Sequence, residues 1–209
     1  MKKLLLLTAA LAMLLAGCCN GNKAQDANEA AINTIMNRKS VRSYTDQKLT
    51  EQQIETLLKA AMAAPSAINI QPWSFVVIDD DAVKQAIWGE GFQSKMFISA
   101  PVVVVVCGDT KTMRKPSGKP DAEPEEVDNI FWDQDCSAAT ENLLLAAEAM
   151  GLGAVWTAIY PTERMARVCE KLGLPANVKP LCAVPIGYPA GDDQPKDKWK
   201  PEKIHRNRW

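Results

Sequence analysis

The sequence predicts an α+β fold, a central sheet packed by helices, and three observations carry that expectation. Residues 102–106 are five consecutive valines between Pro101 and Cys107, a short β-branched run that reads as a strand covered on both faces. On either side of it lie segments whose apolar residues recur every three or four positions, as they do in helices that rest one face on a core. Breaks rich in Gly, Pro and amide residues separate the two kinds of segment.

Composition sets the outer limits. The chain has 209 residues, 24 basic against 25 acidic side chains, 47% hydrophobic and 6% aromatic residues, which describes one globular domain of ordinary size and excludes disorder, collagen and a disulfide-dense miniprotein. A net charge of -1 without a basic cluster lacks the footprint that a nucleic-acid binder uses to displace counterions. With His205 the single histidine, mechanisms built on an imidazole base have almost no raw material, nor do metal sites built on several imidazoles. No metal ligand set is expected, and the chemistry is expected to belong to a bound cofactor.

The first residues read as an address. Lys2 and Lys3 precede an apolar run from Leu4 to Leu15, too short to span a bilayer and right for the core of a secretory signal. The run ends in Leu15-Ala16-Gly17-Cys18, which resembles a bacterial lipobox. Residues 1–17 are therefore expected to be a cleaved lipoprotein signal peptide, residues 18–28 a polar tether beginning at a lipidated Cys18, and residues 29–209 the folded domain. The expected location is the cell envelope, exported and lipid-anchored on its periplasmic or outer-surface side. The remaining cysteines show no C-x-x-C spacing, so Cys107, Cys136, Cys169 and Cys182 read as small buried hydrophobes.

Within the domain, Ile32, Ile35 and Met36 recur at helical spacing from Glu29 and lead into Arg38-Lys39-Ser40-Val41-Arg42. Thr50-Glu51-Gln52-Gln53 has the form of a capping box ahead of an apolar stripe at Ile54, Leu57, Leu58, Ala61 and Met62, so a helix should run from Glu51 to about Ala64 and stop at Pro65. Trp73 to Asp79 reads as a strand, Gln93 to Ser99 as a helical turn or two, and the valine run as the sheet centre. Residues 109–128 mix Lys, Pro, Gly and acids without period and read as a loop or lid. Gln134 to Met150 is a helix ended by Gly151, where a left-handed residue is required. A strand is expected over Ala154 to Ala158, a helix capped by Thr162 and closed by Gly173 and Pro175, and a last strand over Leu181 to Tyr188. The tail from Asp192 to Trp209 has no core pattern and is expected to lie against another surface.

Two segments carry chemistry. Arg38-Lys39-Ser40-Val41-Arg42 offers two guanidiniums, an ammonium and a hydroxyl, a set that holds phosphate; taken alone it is also an ordinary helix end, where cations meet the C-terminal dipole. Ala64-Pro65-Ser66-Ala67-Ile68-Asn69-Ile70-Gln71-Pro72-Trp73 places small and amide residues between a helix stop and a strand, a loop able to lie flat against a planar ligand.

Together the two segments resemble the nitroreductase family of flavin enzymes, which carries an R-x-S-x-R/K-like phosphate motif and then an A-P-S-x-x-N-x-Q-P-W loop. The resemblance continues through Lys95-Met96, Asp135 with Asn142-Leu143-Leu144, Gly151-Leu152-Gly153-Ala154-Val155-Trp156, Pro185-Ile186-Gly187-Tyr188-Pro189-Ala190 and Lys196-Asp197-Lys198. It implies a three-layer fold with a mixed or antiparallel sheet flanked by helices, in a homodimer with FMN at the interface and the 192–209 tail packed on the partner subunit. Arg38 and Ser40, with Lys39 beside them and Lys198 and Lys196 from the tail, would hold the FMN phosphate. Arg42 and Lys95 would lie near the pyrimidine edge of the flavin, where a fixed cation favours the charge gained on reduction. Pro65, Ser66, Ala67 and Asn69 would come from the other subunit, and Trp156, Thr157 and Ala158 would run along one ring edge, with backbone rather than a catalytic side chain near the hydride-accepting atom.

The implied activity is ping-pong hydride transfer from NAD(P)H or another donor to a nitroaromatic or quinone acceptor, with the variable stretches Trp88 to Ser94 and 109–128 setting selectivity. An exported flavin-binding lipoprotein without turnover, and a specialised reductive enzyme such as a dehalogenase, remain the alternatives. Two departures stand out. Lys198 occupies a position often held by Arg, which keeps the charge and loses the bidentate fork, and position 158 is Ala where some members have a carboxylate.

Overall fold

The computed structural model describes residues 29–91, 93–119, 121–160 and 162–209. The expected signal peptide and tether lie outside these residues. The chain divides into two units, Met1–Asn37 and Arg38–Trp209. In the first, residues 29–37 are helical (α1).

In the second unit the sheet is built around the valines. Strand β1 (Trp73–Ile78) pairs antiparallel with β2 (Val102–Asp109), which pairs antiparallel with β7 (Val178–Gly187). The short strands β5 (Gly153–Ala154) and β6 (Thr157–Ala158) both pair antiparallel with β7. The valine run is buried throughout, and its residues alternate between two cores as the two-residue period of a strand requires. Val103 and Val105 pack with α3 (Asp81–Trp88), α4 (Ser94–Ser99) and α6 (Glu163–Leu172). Val102, Val104 and Val106 pack with α2 (Glu51–Met62) and α5 (Trp132–Ala149). Burying each such side chain is worth about 1.5–3 kcal/mol, and the sheet becomes the middle of three layers.

Local sequence accounts for the helix ends. Thr50 accepts from the Gln53 amide at 3.2 Å, and the Gln53 side chain accepts from the Thr50 amide at 2.9 Å, which completes the capping box. Past α5, Gly151 takes φ 70°, the left-handed conformation that ends a helix at little steric cost.

Several elements depart from expectation. Helix α3 has no counterpart in the sequence reading; Asp80 caps it by accepting from the Ala82 and Val83 amides at 2.7 and 3.1 Å. The 109–128 stretch is not a plain loop, because β3 (Lys111–Arg114) and β4 (Glu125–Asp128) form an antiparallel hairpin. That hairpin is largely exposed on both faces, so no apolar alternation marks it in the sequence, and its end is tied by Lys111 to Asp128 at 2.6 Å. The strand expected over Ala154 to Ala158 is split in two. Between its halves the facing stretch of β7 includes Pro185, which has no N–H to give the ladder. Thr162 sits at the N-cap of α6 without a side-chain capping bond.

Candidate functional site

The basic segment after residue 37 is stitched onto the sheet. Ser40 forms a parallel bridge with Ala154, and the Val41 amide donates to the Ala154 carbonyl at 3.1 Å. Further along, the Thr45 amide donates to Tyr188, the Ala190 amide donates to Ser43, and Tyr44 bridges Pro189. Val41 and Tyr44 face the core. The Tyr44 hydroxyl lies 2.6 Å from the Val41 carbonyl and 3.0 Å from that of Pro185. Burial holds its proton well above the usual phenol range, with nearby Arg42 opposing the rise and Asp193 adding to it.

This anchoring leaves the polar side chains of the segment facing the tail. Arg38, Lys39, Ser40 and Arg42 line a cleft of about 230 Å³ with Asp193, Gln194, Lys196 and Lys198. Residues more than 150 positions apart thus converge, and five of the eight lining side chains are cationic against one carboxylate. Two of the cations are braced on α5. Lys39 contacts Glu148 at 2.9 Å, and the Arg38 Nε lies 3.4 Å from Glu141. Lys39 reaches both Glu148 oxygens, at 2.9 and 3.2 Å, whereas Arg38 meets the exposed Glu141 through Nε alone, so Lys39 is the more fully balanced and Arg38, Arg42 and the tail lysines are the better oxyanion donors.

Arg42 also lines a second cleft of about 470 Å³, with Gln93, Lys95, Met96, Ser99 and Ala190 among its walls. A third cleft of about 660 Å³ opens at Ala158 and is lined by Trp88, Tyr160, Arg164 and Arg167 among others. Gln93 of the second cleft accepts from Arg164 of the third at 3.0 Å, so the two adjoin.

The remaining expected residues sit elsewhere. Thr157 is buried in the β6–β7 ladder and Trp156 packs against the core on the α2/α5 side, so of the 156–158 run Ala158 alone lines one of these three clefts. Pro65, Ser66, Ala67 and Asn69 line none of the three within a single chain. Their loop is held instead at the start of α5, where the Ala67 amide donates to Asp135 Oδ1 at 3.0 Å. Ile68, Asn69 and Gln71 all take positive φ (45°, 59° and 53°), a costly conformation, above all for the β-branched Ile68, and it leaves the Ile68 side chain 74% exposed. The other oxygen of Asp135 is buried without a hydrogen-bond partner among the described residues.

Sequence reasoning missed Asp193, Gln194, Arg164 and Arg167 as lining residues, and placed Gln93 only within the 88–94 stretch expected to set selectivity. Scattered charges carry no local signal, although Arg164 and Arg167 share a face of α6 by their spacing.

Burial pushes the thiols of Cys107, Cys136 and Cys182 up to about 12, so they are inert at neutral pH. Among the described residues no group of His, Cys, Asp or Glu is placed to hold a metal ion.

A cation-rich cleft joined through Arg42 to a larger cleft, on an α+β chain with an antiparallel sheet, suits a phosphorylated small ligand. Residues 35–93 and 89–188 match the model of the nitroreductase family, and the chain belongs to that family. An Archaeoglobus fulgidus protein provisionally named NADH dehydrogenase/NAD(P)H nitroreductase is 39% identical over 186 residues, which cover 87% of this chain and 99% of the relative. A crystal structure from Bacteroides thetaiotaomicron with the same provisional name superposes with a TM-score of 0.75 at 42% identity, covering 86% of this chain and 98% of the other. The NADPH:FMN oxidoreductase of Vibrio harveyi, solved with NAD+, gives a TM-score of 0.71 at 27% identity, covering 86% and 78% of the two chains.

Proposed function

We propose that the protein is an FMN-dependent oxidoreductase that takes electrons from NAD(P)H and passes them to nitroaromatic or quinone-type acceptors. The observation that carries this reading is the pair of clefts joined at Arg42. The smaller supplies the cations a phosphate requires, and the larger, at about 470 Å³, has the size of a small-ligand site. Arg38, Ser40, Lys196 and Lys198 would bind the phosphate, Lys39 would brace the cleft floor through Glu148, and Arg42 and Lys95 would lie beside the ring. Bound FMN supplies the hydride chemistry.

The chain's own residues do the rest. Arg42 and Lys95 favour negative charge in the ring-sized cleft. Ala158 offers no ionisable side chain where the third cleft opens, so the chain contributes shape and backbone there, and both electron donor and acceptor have room to use the same opening in turn. Family relatives named FMN reductase and NADPH-flavin oxidoreductase support the cofactor and the donor. In this reading the active form is a homodimer, with the strained 65–71 loop and the exposed tail reaching the second subunit. It is exported and anchored to the envelope through lipidated Cys18, a proposal that rests on the Leu15-Ala16-Gly17-Cys18 signal.

The test is the visible spectrum of the protein after incubation with FMN and desalting. Retention of about one flavin per subunit, bleaching with NADH or NADPH and return of colour with a nitroaromatic are the expected results. A folded protein that stays colourless overturns the assignment.

A further inference from the structure

The cleft beside Ala158 holds two cations that the reading above leaves unused. Arg164 and Arg167 stand three residues apart on α6, and both line this cleft. Elsewhere in the protein, cations such as Arg38, Lys39, Lys84 and Lys111 have a carboxylate within 4.0 Å. Among the described residues neither Arg164 nor Arg167 forms an ion pair, although Glu90 and Glu163 line the same cleft. Arg164 is oriented by the neutral Gln93 amide at 3.0 Å, which fixes the guanidinium and leaves its charge unspent. Both arginines are half-buried while both glutamates are exposed. The positive charge therefore sits where water screens it less. Trp88 forms a rigid wall, its ring stacked on Phe97 with centroids 4.5 Å apart.

We propose that Arg164 and Arg167 form an oxyanion subsite for the electron-transfer partner, taking a phosphate or carboxylate attached to a planar ring that lies toward Ala158. The proposal rests on the flavin reading for its purpose and on the cleft for its chemistry. Two sources share that chemistry, the phosphates of the nicotinamide donor and the carboxylate of an aromatic acid acceptor. In a ping-pong reaction kcat/KM for donor and acceptor report separate half-reactions, so they can be told apart.

The experiment compares the FMN-loaded full chain with its Arg164→Gln, Arg167→Gln double variant and with Arg167→Lys, whose retained charge guards against reading a folding defect as lost binding. Calorimetric titration with benzoate and with adenosine 2′,5′-bisphosphate measures binding, and kcat/KM is taken for NADH, NADPH, 4-nitrobenzoate and nitrobenzene. Removal of two charge-assisted contacts should weaken one probe about 10- to 100-fold. Kinetics should fall in parallel, for 4-nitrobenzoate but not nitrobenzene if the acceptor is the source, or for the nicotinamide donor if the nucleotide is. Arg167→Lys should retain most of the binding. Probe affinities and kcat/KM values unchanged in the double variant, or absence of probe binding by the unsubstituted chain, overturn the subsite. The titrations do not require flavin, so loss of FMN from the unsubstituted chain would overturn the flavin reading and leave the subsite to be decided by binding.

Discussion

Ser40 is bridged in parallel to Ala154, and this contact ties the basic segment to the sheet edge that leads into Ala158. The segment that lines the cation-rich cleft is thus joined to the short strand run that ends at Ala158, one wall of the third cleft. Gly153 lies at that junction, where an added Cβ would stand 2.5 Å from Val41 Cγ1.

Gly153→Ala is expected to push the 38–42 segment off the sheet. Overpacking of this kind costs about 1–3 kcal/mol, so thermal stability should fall and FMN affinity should weaken with it. Differential scanning fluorimetry with and without FMN measures both.

Arg38→Ala combined with Lys198→Ala removes two of the cations that line the smaller cleft, one from the 38–42 segment and one from the tail. Hydrogen bonds to charged groups are worth about 1.5–3 kcal/mol each, which corresponds to a loss of FMN affinity on the order of 100-fold or more. Fluorescence titration reads it directly, and an unchanged dissociation constant would remove the phosphate assignment.

Thr50→Ala breaks the capping box of α2, whose Thr50 and Gln53 line none of the three clefts. The expected loss is about 1 kcal/mol, or roughly 2–4 °C in Tm for a chain of this size, with FMN affinity and turnover as in the unsubstituted protein.

Asp135→Ala leaves the Ala67 amide without its acceptor and releases the strained loop. A fully buried donor left unpaired costs about 1–3 kcal/mol; the Ala67 amide is only partly buried, so the loss should fall toward the lower end, and cleavage by a protease near Ile68 should accelerate. Asp135→Asn keeps an acceptor for the amide and should cleave at nearly the original rate.

The three core thiols give a pH dependence with a definite sign. Their pKa values are raised from 9.0 to about 12 in the fold, so the unfolded chain releases these protons first. Their contribution to stability is fully present below about pH 9 and is lost as pH rises from 9 toward 12. Urea denaturation midpoints across that range should fall, and at pH 8 a thiol reagent should reach Cys107, Cys136 and Cys182 only after unfolding.

Elements whose cause is local were legible in the sequence. The capping box at Thr50, the stop at Gly151 and the burial of five adjacent valines each follow from residues within a turn or a strand of one another. Helix α3 escaped because its main signal is a single Asp cap ahead of a short stripe. The β3–β4 hairpin escaped because a largely exposed strand with no fully buried face needs no apolar alternation.

The family, and the segments proposed to build its cofactor site, were therefore legible in the sequence, since motif residues keep their chemistry wherever the chain places them. Which of them meet was decided only by tertiary structure. Lys196 and Lys198 join Arg38 because the chain returns from β7 along the same sheet edge. Lys39 is spent on Glu148, and Arg164 reaches Gln93 because α6 packs on the same face of the sheet as α4. Contacts between residues distant in sequence depend on how layers stack on a common sheet, and no local pattern records that.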